Sequence, residues 1–192
     1  MGQSSSALYR YFPNRDELLT ALILDAYNDL GAAVEEAEAR VARRRRRARL
    51  VTAARAVRSW SLEHPHEYAL IFGSPVPGYV APEATIAAAT RVTIVLARIV
   101  DDEFAKRGVR TPPPPAELSR LLEWDQIRLV APHVPADTVV SAIAVWTLIF
   151  GAVSFELFGH YVGSVRDPSR TFDHVMTVAA SLVSLTDDPA RN

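Results

Sequence analysis

No cysteine occurs in the 192 residues, so neither a disulfide framework nor a thiolate site is open to this chain. Lysine is almost as scarce: Lys106 stands alone, and arginine carries the rest of the positive charge. No basic head followed by an apolar run opens the sequence, which predicts a cytoplasmic protein. Strand-like alternation and internal repeats are missing too, so the expected fold class is all-α. The usual signatures of enzymes are absent: there is no Gly-rich phosphate loop, no nucleophile elbow and no paired-acid constellation. Five histidines are present, at 64, 66, 133, 160 and 174, without a metal-binding pattern. His64-Pro-His66 and Glu156 with His160 come nearest to one, and each reads better as partly exposed histidine. The sequence therefore offers no catalytic residues, no cofactor and no metal ligands, and a helical enzyme is left without a candidate site.

What is present is apolar and helical. With 49% hydrophobic residues and a net charge of −1, the chain can bury a core without a metal or a disulfide. The near-neutral total hides an asymmetry. Residues 1 to 58 hold 11 arginines against 7 carboxylates, a surplus of four positive charges, while the remainder holds 10 basic and 15 acidic residues, a surplus of five negative.

From Asn14 the apolar positions Leu18, Leu19, Leu22, Ile23, Ala26, Tyr27, Leu30 and Val34 repeat with helical spacing, which predicts one long helix to about Val41. Asn14 and Glu17 form its start signal. Arg40, Arg43 to Arg47 and Arg49 follow, a run expected to face solvent or to add backbone contacts to DNA. A helix to His64-Pro65 and a short one over His66 to Phe72 come next, then a stiff loop, Gly73 to Pro82, with three prolines. One helix is expected from Pro82 to about Arg107 and another from Ala116 to Val130, with Leu118, Leu121, Leu122 and Ile127 inward. Thr138 to Phe155 is eighteen residues without a charge, at the threshold for a membrane span. No basic residue flanks it closely and hydroxyls dilute it, so burial between the core and a second subunit is the reading preferred. Asp167-Pro168 opens the last helix, which carries Phe172, Val175, Met176, Ala179, Leu182 and Val183 on one stripe.

The stretch Ser4 to Leu19, Ser-x-x-Ala-Leu-Tyr-x-Tyr-Phe-x-Asn-Arg-x-x-Leu-Leu, resembles the recognition helix and following helix of the TetR family of one-component transcriptional repressors. Trp60 to Pro82 resembles a C-terminal regulatory domain common in actinobacterial members of that family. The resemblance implies DNA contacts at Ser5, Ser6, Ala7, Tyr9, Arg10, Tyr11 and Arg15, with Leu8 and Phe12 turned to the core. It divides the chain into a partial DNA-binding head, residues 1–38, and an effector-binding and dimerisation domain, residues 39–192. The family places two further helices before the motif, so the chain reads as truncated in its helix-turn-helix; upstream coding sequence would show whether the start is misplaced. The chain as it stands is then expected to bind DNA weakly, with steep salt dependence and little regard for sequence.

Trp60, Tyr68, Phe72, Tyr79, Trp124, Trp146 and Phe150 are the aromatic candidates for an effector pocket. The resemblance implies a homodimeric, ligand-released repressor whose partners are operator DNA and a small apolar or aromatic effector, with no membrane. The alternative is an effector-binding and dimerisation module without DNA binding.

Overall fold

A computed structural model of the chain describes residues 12–108 and 111–187. Asn14 takes an extended conformation and its Oδ1 accepts from the Glu17 amide at 2.9 Å. The Glu17 carboxylate returns to the Asn14 side-chain amide at 3.0 Å, which fixes the cap from both sides. From here α1, Arg15–Ala39, runs 25 residues, a rod of about 37 Å at 1.5 Å per residue. It buries Ile23, Ala26, Leu30 and Val34. A tight turn leads to α2, Arg46–Glu63, and the His64-Pro65 break to α3, Pro65–Phe72. Gly73 ends α3; a Cβ there would stand 2.2 Å from the Ala69 carbonyl oxygen.

The single helix expected from Pro82 to Arg107 is three pieces: a 3₁₀ turn over Glu83–Thr85, α4, Ile86–Ala89, and α5, Arg91–Arg107. The Thr90 hydroxyl donates back to the carbonyls of Ile86 and Ala87, at 2.9 and 3.2 Å, and the chain bends there. The helix expected over Ala116–Val130 is likewise divided, into α6, Ala116–Ser119, and α7, Trp124–Val130. In a continuous helix the Leu118 carbonyl would accept from the Leu122 amide. Instead it takes the Trp124 indole N–H at 2.9 Å and the Leu121 amide at 3.1 Å. Leu121, expected inward, is consequently 68% exposed.

Two long helices complete the body: α8, Ala136–Leu157, and α9, Pro168–Leu182, the latter capped by Asp167 accepting from the Arg170 amide. Leu30, Leu50, Val57, Tyr68, Ile99, Ile149 and Met176 meet in one core, drawn from six helices. Among the described residues there is no strand, and the architecture is all-α.

The arginine run is not uniformly solvated. Arg46 and Arg49 are buried, at 5% and 2% exposure. Arg46 Nε donates to Glu103 at 2.7 Å; Arg49 pairs with Glu38 and, at 2.6 Å, with Asp102. Arg43 forks onto both oxygens of Asp102 from outside. The chain's last described residues strap this cage shut: Thr186 donates to Glu103, Arg107 to the Ser184 carbonyl, and the Asp187 carboxylate accepts from the Ala48 amide at 3.1 Å. The expectation that these arginines face solvent or phosphate fails for Arg46 and Arg49 because carboxylates from α1 and α5 meet them inside.

Candidate functional site

Of the residues expected to touch DNA, Ser5, Ser6, Ala7, Tyr9, Arg10 and Tyr11 lie outside the described residues. Arg15, the first residue of α1, is exposed. The described end of the motif opens α1, which is held at four levels. Near its start the Thr20 hydroxyl meets the Tyr79 hydroxyl of the proline-rich loop at 3.0 Å. Tyr27 then donates to the Ile71 carbonyl at 3.3 Å, and Asp29 accepts the Trp60 indole N–H at 2.7 Å.

The fourth anchor is Arg91, whose side chain lies flat across α1 over Gly31. It forks onto Glu35 at 2.9 and 2.7 Å and donates to the Asn28 carbonyl at 2.8 Å. Gly31 is what makes room, since a Cβ there would sit 2.7 Å from Arg91 Nε. The Arg91 guanidinium holds the Glu35 carboxyl below the usual range.

The seven aromatic candidates do not form one group. Tyr68, Phe72, Trp146 and Phe150 come together between α3 and α8: Phe72 and Phe150 stand 4.4 Å apart, Tyr68 and Phe72 5.1 Å, Trp146 and Phe150 5.8 Å. Sequence reasoning missed Tyr27 and Phe158, which join the same cluster edge-on to Phe72 and tilted against Tyr68. Tyr68 is fully buried; its hydroxyl donates to the Phe150 carbonyl at 3.1 Å and pairs with Ser154 Oγ at 2.7 Å. Burial pushes its phenol above the ordinary value, against a weaker opposing pull from Ser154. Trp60 stands apart, stacked on His64, and Tyr79 is on the loop. Trp124 lies on α7 under Arg128.

An open cleft of about 670 Å³ runs between α1, α2 and α3, with Trp60 as the only aromatic candidate in its wall. Asp25, Asp29, Glu67, His64 and Arg91 line it as well, which makes it more polar than the aromatic cluster. Among the described residues no group of three or more His, Asp or Glu could hold a metal ion. Glu156, the neighbour of His160 in sequence, is instead forked by Arg58 at 2.7 and 2.5 Å across the α2–α8 interface.

The outward face of α8 stays apolar. Val140, Ile143, Leu148 and Phe155 are exposed on it, and Val178 and Leu182 on α9. α8 has a mean hydropathy of 2.0 over eighteen residues and is long enough to cross a membrane. Its other face is packed into the core through Val145, Ile149, Ala152 and Val153.

Comparison with known proteins accords with this architecture. The family described as "Tetracyclin repressor-like, C-terminal domain" matches residues 50–179. The HTH-type transcriptional regulator Rv1816 of Mycobacterium tuberculosis is 36% identical over 176 residues, covering 90% of this chain and 75% of that protein. The HTH-type transcriptional regulator Mb1846 of Mycobacterium bovis matches to the same extent. Among solved structures, that of a candidate regulatory protein, SCO4313, superposes with a TM-score of 0.71 at 33% identity, covering 94% of this chain and 81% of that one. A protein from Rhodococcus sp. RHA1 shares the fold at a TM-score of 0.61 and 23% identity, covering 95% of this chain and 77% of that one.

Proposed function

Because the chain belongs to the TetR family of transcriptional regulators, we propose that it is a cytoplasmic, homodimeric repressor released from its operator by a small apolar or aromatic effector. Residues 1–38 form the DNA-binding side, with Ser5, Ser6, Ala7, Tyr9, Arg10, Tyr11 and Arg15 as the contacts. Residues 39–192 bind effector and partner. The observation that carries this reading is the double tie between the aromatic cluster and α1. Phe72 packs on Phe150 at one end of α3, while the adjoining Ile71 carbonyl accepts from Tyr27 and the following loop meets Thr20 through Tyr79. A ligand that spreads Tyr68, Phe72, Trp146 and Phe150 would move α3 and the loop, and with them the start of α1. The second subunit would cover the apolar face of α8 and α9.

The test takes the protein as produced from its chromosomal locus and selects duplexes from a random pool. A two-fold symmetric sequence should be enriched, and aromatic small molecules that quench Trp146 fluorescence should release it. Absence of any enriched sequence would leave the second reading, a module that binds effector and dimerises without DNA.

A further inference from the structure

Between Glu38 and Glu63 the sequence holds nine arginines and no carboxylate. Six of the nine find carboxylates elsewhere: Arg40 on Glu36, Arg43 and Arg49 on Asp102, Arg46 on Glu103, Arg55 on Asp173 and Arg58 on Glu156. Arg44, Arg45 and Arg47 are exposed and, among the described residues, make no side-chain hydrogen bond or ion pair. They are nonetheless presented from fixed backbone, since Arg46 and Arg49 beside them are anchored in the buried cage. Arg45 and Arg47, with Arg55, line a shallow cleft of about 310 Å³ whose single carboxylate, Asp187, is engaged with the Ala48 amide.

We propose that this arginine turn is a second polyanion site, which grips the phosphate backbone of duplex DNA without regard to sequence. It lies at the opposite end of α1 from Arg15, about 37 Å away by helical rise. In the reading proposed above, on which only this clause rests, it therefore holds a segment other than the one read by the head. Three arguments select DNA as the occupant. Guanidinium forks match phosphate oxygens bidentately. Neither the turn nor the cleft exposes a large apolar side chain of the kind that anchors protein interfaces. The side chains that the turn leaves without an ion pair, Arg44, Arg45 and Arg47, all carry positive charge, and counterion release needs nothing more.

The experiment titrates the 192-residue chain against a duplex of random sequence at a series of salt concentrations. The triple variant Arg44→Ala/Arg45→Ala/Arg47→Ala should lower the slope of log affinity against log salt by about 2 to 3, at roughly 0.9 for each phosphate no longer neutralised. The corresponding triple lysine variant should restore most of the slope. Urea unfolding of the alanine variant should match the parent, because these side chains bond to nothing in the fold. An unchanged slope, or polyglutamate of equal charge competing as well as DNA, would overturn the proposal. Arg15→Ala should leave the slope on random duplex within about 1 of the parent's. Loss of all operator preference in the parent would defeat the repressor reading and leave this one standing.

Discussion

Glu103 shows how much a single buried charge is asked to do. It is 3% exposed and receives Arg46, Arg107 and Thr186. Burial raises its pKa, but the hydrogen bonds from Arg46 and Arg107 outweigh that and hold the carboxyl below its ordinary value. Glu103→Gln removes the charge that balances Arg46 inside the fold, so a loss of about 3 kcal/mol is expected in urea unfolding at neutral pH. A depressed carboxylate lends stability that is complete above the unfolded pKa and drains away as pH falls through the folded one. The gap between parent and variant should accordingly narrow below about pH 4.3. Gly31 is the counterpart among neutral residues. Alanine normally favours a helix over glycine by about 1 kcal/mol, yet Gly31→Ala should destabilise by about 1 kcal/mol because its Cβ displaces Arg91. In an Arg91→Ala background the penalty should shrink, since only the Cβ contact at 3.0 Å remains, and the two unfolding series form a double-mutant cycle. Neither residue was legible in the sequence. An arginine run looks alike whether its carboxylates are solvent ions or side chains folded in from 57 residues away, and a glycine inside a helical pattern announces only a weakness.

Helix starts marked by a capping residue or a proline were legible, and breaks inside an apolar pattern were not. The Asn14 cap, the His64-Pro65 break and the Asp167-Pro168 start each sit where the sequence places them, because the groups that satisfy the backbone there are neighbours in the chain. At Thr90 the hydroxyl adds a bond to carbonyls of the preceding turn, and after Leu118 an indole takes the carbonyl that a continuous helix would have used; neither residue type marks a break in a sequence. Composition supplied the aromatic candidates, but only the crossing of α3 over α8 brings Tyr68, Phe72, Trp146 and Phe150 together and leaves Trp60 and Trp124 apart. Asn14→Ala removes the side chain that accepts from the first turn of α1, at a cost of about 1 kcal/mol. Faster hydrogen exchange at the amides of Asp16 to Leu18, with α8 unaffected, is the expected outcome.

For the molecule as a whole, the proposed dimer rests on the apolar face of α8 and α9. A charge at its edge, Leu182→Glu, should convert a dimeric mass in light scattering to a monomeric one at micromolar concentration while leaving the helical content intact. A parent already monomeric there would remove the dimer from the function proposed. One more consequence belongs to this scale, and it concerns the order in which the protein is made. The first turn of α2 receives its capping carboxylate from Asp187, 139 residues later, and the buried arginine cage closes only when Thr186 reaches Glu103. Closing so long a loop costs entropy that local contacts cannot repay. A nascent chain on the ribosome can therefore form α1, α2 and α5 in turn, but the joint among them stays ajar until residue 187 has left the ribosome. Chains released without residues 185–192 should be cut by protease at the Arg43–Arg47 turn, and full-length chains should be protected.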